Sequence, residues 1–540
     1  MAASSLVFRL HERGPELVRE VLLERGWEEY DEGQREEEDW NLYWRGSAFR
    51  SAEYHKLLPW QRLNHHPKTV GITRKDCLAR NLRRMRATFS SSLYDFSPTA
   101  FILPNDFTRF LSEYDHLRLT QTLPVYWICK PVRLSRGRGI FIFENIKDLI
   151  YDCSVIVQRY VSDPLLISGY KFDLRIYVCV KSFHPLTVYI HQEGLVRFST
   201  EKYNLSSLQN LYAHLTNTSI NKFGPFYKTE KQRVGQGCKW TMSKFRHFLH
   251  SLGTDELLLW QRINNIVTLT LLTIAPSVPS CPNCVELFGF DILIDVRLKP
   301  WLLEVNYSPA LTLDCQADIA VKKGLIGDLI DLMSYKSIDG LRESAYRRRG
   351  NLNLILGSRW RTDRQTCPGL ASSLQVSEPM NHDDTQTETE TQLSAETDVS
   401  SQIPDIPPQA LRFKSPAASC KLPNIHRVGR IRPVRIHQEA ETSSNRRHVP
   451  PLRVGGFIRT FPFNAATLKA SRHTLDVKTV IQEIHKLTNQ LAAGRSVRKR
   501  PKSDEEEEKK NSDGGEEEEF ESLFWGPNNP PLLSQTLKQL

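Results

Sequence analysis

The chain has 540 residues, 40% hydrophobic and 25% charged, and its net charge of +10 suits acidic partners such as nucleic acid, anionic membranes or acidic protein tails. Its first residues lack a basic segment followed by a long apolar one, and its longest apolar run, residues 266–276, is too short to span a bilayer. Ten scattered cysteines then indicate reduced thiols, so secreted, membrane-spanning and collagen-like classes are excluded.

The first 360 or so residues mix short apolar runs with helically periodic stretches, which predicts one compact α/β (α+β) assembly. Strands are predicted at residues 125–129, 139–143, 155–157, 174–180, 288–295 and 301–306, and helices at residues 76–88, 241–251 and 255–274.

Blocks of like charge mark the rest of the chain. Residues 377–405 contain eight acidic residues and no Lys or Arg, residues 411–502 have a net charge of +16, and residues 503–521 have a net charge of −9. Such blocks bury too little apolar surface to offset chain entropy, so the sequence predicts a mostly disordered tail. Within it, residues 476–493 have helical spacing and predict an isolated amphipathic helix.

Two segments rich in lysine, arginine and glycine predict phosphate contacts. Lys130 closes a predicted strand, and a buried lysine needs a partner such as a phosphate. Residues 135–140, Ser-Arg-Gly-Arg-Gly-Ile, combine glycines that admit a close backbone approach with arginines that neutralise charge. Neither a Walker P-loop nor a dinucleotide motif is present. The alternatives are an ordinary edge lysine and an ordinary hairpin loop.

Two further strands predict polar surfaces beside these segments. One strand runs into Gln158, Arg159 and Tyr160, which can offer backbone groups and an amide to an adenine edge. In the other, residues 171–175 alternate Lys, Asp and Arg with apolar residues, so the three charges point to one side. That side borders either solvent or a polar site.

Three oxygen ligands predict a cation site. Asp291 lies in an apolar strand, and Glu304 and Asn306 share one face of the next strand. Buried carboxylates need a compensating cation or base, and Mg²⁺ bridging nucleotide phosphates would supply it, with a structural salt bridge as the alternative. The polar run at residues 214–222 suits hydrogen bonding to a ligand, or a turn or helix cap.

Taken in order, these segments resemble the ATP-grasp catalytic core of the tubulin tyrosine ligase-like family, over roughly residues 60–345. The most specific strings are KFDLR at residues 171–175, HLTN at residues 214–217 and KPWLLEVN at residues 299–306, with an RKD element at residues 74–76. The resemblance implies an N-terminal extension (1–60), a catalytic domain (61–345, with its ATP-grasp core at 126–345), a basic junction (346–365) and the tail (366–540).

The family's residue roles follow as implications of that resemblance. The nucleotide would contact Lys130, Arg136, Gly137, Gln158, Arg159, Tyr160, Val161, Lys171, Asp173, Thr216 and Asn217. Mg²⁺ would be held by Asp291, Glu304 and Asn306. The incoming amino acid would contact Arg175, Thr218, Ser219 and Lys239. Lys130, Arg175 and Glu304 are the implied catalytic residues.

The implied reaction is ATP- and Mg²⁺-dependent ligation through an acylphosphate, adding glutamate to glutamate side chains in the acidic C-terminal tail of tubulin. We expect a monomer that binds microtubules but no membrane, in the cytoplasm and at the cytoskeleton, with the cilium or basal body as a further site. A lesser nuclear alternative comes from the basic string at residues 494–502.

Three alternatives remain open. Thr218 stands where many relatives have tyrosine, which together with the basic tail motivates a non-catalytic microtubule-binding protein. Glycine is an alternative to glutamate as the added residue. Nucleic-acid binding through residues 494–502 is weaker, because that string lacks interleaved aromatics. Separately, the acidic run at residues 513–521 resembles a tubulin tail in composition, which suggests that it docks in the enzyme's own basic acceptor groove.

Overall fold

The computed structural model describes residues 5–340, except 13, 90–91, 225–238, 255 and 337–338, together with residues 449–498, where only the backbone is described from residue 490. The strands are β1 (Val7–Leu10), β2 (Glu28–Glu29), β3 (Leu42–Trp44), β4 (Arg62–Leu63), β5 (Ala100–Leu103), β6 (Trp127–Pro131), β7 (Phe141–Phe143), β8 (Val155–Arg159), β9 (Leu166–Ile167), β10 (Tyr170–Phe183), β11 (Leu186–His191), β12 (Leu195–Lys202), β13 (Lys239–Thr241), β14 (Glu286–Ile294), β15 (Pro300–Asn306), β16 (Arg453–Val454) and β17 (Phe457–Phe461).

The helices are distributed among these strands along the chain. They are α1 (Glu16–Glu24), α2 (Ser51–His55), α3 (Val70–Thr73), α4 (Lys75–Phe89), α5 (Phe107–Thr120), α6 (Leu211–His214), α7 (Thr218–Asn221), α8 (Met242–Ser251), α9 (Leu257–Leu272), α10 (Gln316–Met333), α11 (Ala465–Ser471) and α12 (Val477–Arg498). The predicted mixed α/β class is confirmed, and α4, α8 and α9 lie where helical periodicity predicted helices.

Three sheets organise the described residues. A parallel sheet near the N-terminus has the order β2-β1-β3-β4, and an antiparallel sheet has the order β5-β8-β6-β7. The central, nine-stranded sheet runs β13-β12-β10-β11-β17-β16, and β14 joins β10 to β15. The long strand β10 is the centre of this sheet, since it pairs with β9, β11, β12 and β14.

Alternate residues of β10 face two different cores. Phe172 and Leu174 belong to the largest apolar cluster, which includes side chains of α4, α8, α9 and α12. Tyr177 lies in the second cluster with side chains of α1 and α10. Asp173 and Arg175 share the face of Tyr177, because side chains two residues apart in a strand point the same way. One face of β10 is therefore charged at Asp173 and Arg175 and becomes apolar farther along the strand.

The C-terminal segment 449–498 corrects the predicted tail. We predicted mostly disordered chain from residue 366, but β17 pairs with β11, and α12 buries Val480, Ile481 and Ile484 in the largest core. The helix predicted at residues 476–493 therefore forms, but it is not isolated. Its apolar face is covered by the protein, which composition within the segment could not reveal. The rest of the predicted tail lies outside the described residues.

A tight turn fits this segment to the core. Gly455 has φ +54° between β16 and β17, and a Cβ atom there would come within 2.0 Å of Asp328 Oδ1. The backbone N–H of Gly456 donates to Asp328 Oδ2 at 2.8 Å. His191 Nε2 lies 3.1 Å from the same carboxylate oxygen. The hairpin is thus held against α10 by polar contacts that require glycine at residue 455.

One helical stretch among the described residues, Leu257–Ser277, is long and apolar enough by length and composition to cross a membrane, and 78% of its apolar 18-residue window is buried inside the protein. In the sequence analysis the longest apolar run was residues 266–276, which is too short to span a bilayer. The extent of burial is that of a core helix.

Candidate active site

The strand register of the central sheet brings charged residues from five strands into neighbouring positions. Registered partners lie side by side on one sheet face. The two rows are Lys239–Arg197–Asp173 and Arg175–Asp291–Glu304. Because Asp173 and Arg175 are two residues apart on β10, both rows occupy the same face.

Two buried arginines hold the carboxylates of these rows. Arg197 lies 2.6 Å from Asp173 Oδ2 and 2.8 Å from Asp291 Oδ2. Arg175 donates to both oxygens of Asp291, at 2.6 and 3.1 Å. Burial alone would raise the pKa of Asp291, but the two guanidinium groups lower it below its usual range. Asp291 is therefore a fixed negative charge.

A cavity of about 290 Å³ opens onto this face. Every residue that the resemblance assigned to nucleotide or Mg²⁺ lines it. These are Lys130, Arg136, Gly137, Gln158, Arg159, Tyr160, Val161, Lys171, Asp173, Thr216, Asn217, Asp291, Glu304 and Asn306. Residues separated by up to 176 positions along the chain therefore meet in one cavity.

Two lysines place cations in the cavity. Lys130 Nζ donates to Gln158 Oε1 at 2.8 Å, and Lys171 Nζ donates to the Tyr160 hydroxyl at 2.7 Å. Burial lowers the pKa of Lys130 to about 8 and that of Lys171 to about 7. The Tyr160 hydroxyl also lies 2.9 Å from His214 Nδ1. A buried lysine with a lowered pKa is stabilised in its charged form by an anion, so this part of the cavity fits phosphate groups.

Another part of the cavity fits a cation. Glu304 forms no ion pair with any described residue, and burial followed by the charge of Asp291 raises its pKa. Asn306 Nδ2 lies 3.2 Å from Asp291 Oδ2 and 3.4 Å from Glu304 Oε1. The salt-bridge alternative thus holds for Asp291 but not for Glu304, on which the charges of Lys75 and Lys130 act without an ion pair among the described residues. Two carboxylates and an amide oxygen are hard donors that suit Mg²⁺ when phosphate oxygens complete its shell.

The glycine-rich segment forms a tight turn at the cavity's edge. Arg136 and Gly137 have φ +60° and +76°, and a Cβ atom on Gly137 would come within 2.1 Å of Ile220 Cδ1. Only glycine therefore fits at residue 137. The Ser219 hydroxyl donates to the carbonyl of Arg136 at 3.1 Å, and Lys75 Nζ donates to the carbonyl of Leu134 at 3.0 Å. Other parts of the protein thus hold the turn beside the lysines.

A family model, described as the tubulin-tyrosine ligase family, matches residues 51–340, which is more than half of the chain. The chain belongs to the tubulin-tyrosine ligase family. The resemblance inferred from the motifs is confirmed.

Relatives extend this similarity beyond the family domain. The human and mouse proteins named "Probable tubulin polyglutamylase TTLL2" are 49% and 46% identical over 506 and 498 residues, 90% of this chain and 85% and 92% of those proteins. The human "Tubulin monoglutamylase TTLL4" is 38% identical over 309 residues, 55% of this chain and 25% of that protein.

Four residues that the family resemblance assigned to the amino acid do not line the cavity. Arg175 contacts Asp291, and Lys239 Nζ lies 2.7 Å from Asp318 and 3.3 Å from Asp314. Thr218 and Ser219 begin α7, next to the lining residues Thr216 and Asn217. Burial alone would lower the pKa of Lys239, but the Asp318 carboxylate raises it.

Sequence analysis assigned no role to several polar residues of the site, among them Lys75, His214 and Arg197. Lys75 and His214 line the cavity, and Arg197 bridges the two rows. Lys75 lies in the recognised RKD element, and His214 in the recognised HLTN string. For Arg197 the available signal was a lone arginine between Val196 and Phe198 in an apolar run, but its partners lie on other strands.

Arg197 is expected to be important for stability. We expect Arg197→Met to lower the free energy of unfolding by about 3–5 kcal/mol, because it leaves buried Asp173 and Asp291 with one cation fewer. Urea unfolding measures the change. Arg118→Met is the matched control, since Arg118 is exposed and has no ion-pair partner among the described residues, and it should change the value by less than about 0.5 kcal/mol. Equal stability of the two variants would contradict the assigned role.

Proposed function

We propose that the protein is an ATP- and Mg²⁺-dependent ligase that adds glutamate to glutamate side chains in the acidic C-terminal tail of tubulin. Family membership and the names of its relatives support the coarser conclusion of a tubulin-modifying ligase. The observation that carries the finer proposal is one cavity that combines lysines of lowered pKa with a Glu304 carboxylate that has no ion-pair partner among the described residues. Such a cavity fits a triphosphate and a divalent cation in an ATP-grasp arrangement.

The chain's own residues would position the reactants. Lys130 and Lys171 would bind phosphate oxygens, and the turn at Gly137 would bring backbone groups close to them. Asp291, Glu304 and Asn306 would hold Mg²⁺, which when bound neutralises charge on the phosphates. Because these groups are fixed by the sheet register, little reorganisation is needed during the reaction.

The proposed chemistry has two steps. The γ-phosphoryl group passes from ATP to a side-chain carboxylate of the acceptor, giving an acylphosphate and ADP. The amine of free glutamate then attacks the acyl carbon, an amide bond forms, and inorganic phosphate leaves. Both steps rely on orientation and charge stabilisation and need no side-chain nucleophile.

Arg175, Thr218, Ser219 and Lys239 are proposed to contact the incoming glutamate. None of the four is among the cavity's lining residues, so their contacts require a ligand that extends beyond it. We propose that the enzyme works as a monomer on cytoplasmic microtubules, including those of the cilium or basal body.

Radiolabelled glutamate, ATP, Mg²⁺ and purified microtubules test the proposal. Incorporation of label into tubulin tails that depends on ATP is expected. Incorporation of glycine but not glutamate would show that glycine is the added amino acid. Incorporation of neither would favour a non-catalytic microtubule-binding protein.

Nucleotide binding is expected to weaken as pH rises. With pKa values of about 7 for Lys171 and about 8 for Lys130, both lysines are charged below pH 7 and lose their protons above it. ATP favours the charged forms, so its binding takes up protons, and its Kd should rise about tenfold or more between pH 7 and pH 9. Calorimetry in two buffers of different ionisation enthalpy measures both the Kd and the proton uptake.

Lys171→Arg is the matched control for this pH dependence, because arginine keeps its charge throughout the range. The variant should bind ATP with a flatter pH dependence than the wild type. A wild-type Kd that stays constant from pH 7 to pH 9 would contradict the assignment of the lysines to the phosphates.

A further inference from the structure

A second groove, separate from the candidate active site, lies between α9, the turn that joins β14 to β15, and the C-terminal helix α12. Its volume is about 500 Å³. The nearby segment Ser92–Phe96 forms another wall. Since α12 is part of the groove, the groove exists only because the C-terminal segment folds back onto the core.

The groove is basic. Arg262 and Arg297 are exposed and have no ion-pair partner among the described residues. Lys299 Nζ lies 2.7 Å from Asp95, which is the one acidic side chain among the groove's described lining residues. His485 is exposed on the α12 wall. The lining thus has a net positive charge and two arginines available to an anionic ligand.

The groove also has an apolar component and a fixed wall. Leu93 and Phe96 are among its lining residues. Asn265 on α9 donates to the Thr488 hydroxyl on α12 at 3.1 Å, and Ile484 is buried one turn earlier. These contacts hold α12 in place. Because the lining combines cations with apolar side chains, the groove suits a peptide that combines acidic residues with an aromatic one.

The chain itself carries such a peptide close by. Residues 503–521 contain 11 acidic residues and two lysines, and Phe520 directly follows four consecutive glutamates. The helix α12 runs about 15 Å from Thr488 to Arg498, at roughly 1.5 Å per residue. Each extended residue after it spans up to about 3.5 Å, so residue 503 and those beyond it can return to the groove.

We propose that this groove binds the acidic segment Ser503–Glu521 of the same chain. Tethering favours this occupant over an acidic peptide from another molecule, because a short linker raises its effective concentration to about the millimolar range. The glutamates would meet Arg262 and Arg297, and Phe520 would contact Leu93 and Phe96. The proposal places the acidic segment in this groove, and it does not depend on the proposed ligase activity.

Photo-cross-linking of the full chain tests the proposal without nucleotide or tubulin. With a photoreactive phenylalanine analogue at Phe520, cross-links within the same chain to residues 92–96, 262–269, 297–300 or 485–488 are expected. Arg262→Glu combined with Arg297→Glu should lower their yield about tenfold, because each exposed attraction, worth up to a factor of five, becomes a repulsion. Raising the salt concentration should lower the yield as well.

Arg118→Glu is the control, because it reverses the charge of an exposed arginine on α5, outside the groove, and should leave the cross-links unchanged.

Three results would overturn the proposal. They are cross-links to other surfaces, cross-links whose yield depends on protein concentration, and groove cross-links that survive the double charge reversal. A groove that binds an added acidic tubulin-tail peptide while Phe520 forms no cross-link to it would assign the site to the acceptor instead. Since activity is not the readout, the cross-linking results do not bear on the ligase proposal.

Discussion

Glu304→Gln is expected to lower glutamate incorporation into tubulin by at least about 100-fold, the size of effect seen when one preorganised charged or polar group is removed from a reaction site. Glutamine keeps the shape of the side chain but removes the negative charge that faces the proposed Mg²⁺. Because burial and the charge of Asp291 raise the pKa of Glu304, neutralising it should not reduce stability. Initial rates with radiolabelled glutamate and a thermal melt of the same preparation measure the two quantities.

Glu144→Gln provides the matched control, since Glu144 is exposed and lies outside the cavity. It should retain wild-type incorporation. ATP binding without Mg²⁺ should be similar in both variants, because the lysines that face the phosphates are unchanged. Wild-type incorporation by the Glu304 variant would remove this residue from the proposed metal site, while a lowered melting temperature would point to a structural defect.

A chain that ends at residue 448 is expected to be insoluble or to lose its cooperative thermal transition. Truncation there exposes the edge of β11 and uncovers the largest core, because it removes side chains that are at most 6% exposed. These are Ile458, Phe461, Phe463, Val480, Ile481 and Ile484. Each contributes about 1.5–3 kcal/mol by burial, against a typical net stability of roughly 5–15 kcal/mol. Soluble yield, size-exclusion chromatography and thermal melting measure the outcome.

A chain that ends at residue 502 is the control, because it keeps every described residue, and it should retain the cooperative thermal transition of the full chain. At single-residue level, Ile484→Ala should cost about 2–5 kcal/mol. Gln482→Ala, exposed on the same helix, should cost less than about 0.5 kcal/mol. Equal melting of chains that end at 448 and 502 would show that residues 449–498 are dispensable for the fold.

The folded part of the chain extends beyond the residues that the family model matches. The family model ends at residue 340, but the central sheet gains β16 and β17 from residues 453–461. Similarity to the human and mouse TTLL2 relatives covers 90% of this chain. We therefore expect experiments designed on the family domain alone to lack part of the core.

Local periodicity in the sequence was sufficient for elements whose pattern is set by near neighbours. The alternation at residues 171–175 correctly placed Lys171, Asp173 and Arg175 on one strand face, and the spacing of residues 76–88 predicted α4. The two apolar strands predicted within residues 288–306 also form, and their pairing makes Asp291 and Glu304 register partners. Strand and helix periods act over a few residues, so the sequence alone contains this information.

Long-range pairing decided the rest. Arg197 acquires its role from Asp173 and Asp291, which lie on two other strands. Residues 449–498 are folded because β11 and α9 cover them, although their strongly basic surroundings predicted disorder. Neither outcome is visible in local composition, since burial depends on what a distant part of the chain presents. The residue types of the site were therefore readable from the sequence, while the ion pairs that fix them and the true extent of the core depended on tertiary contacts.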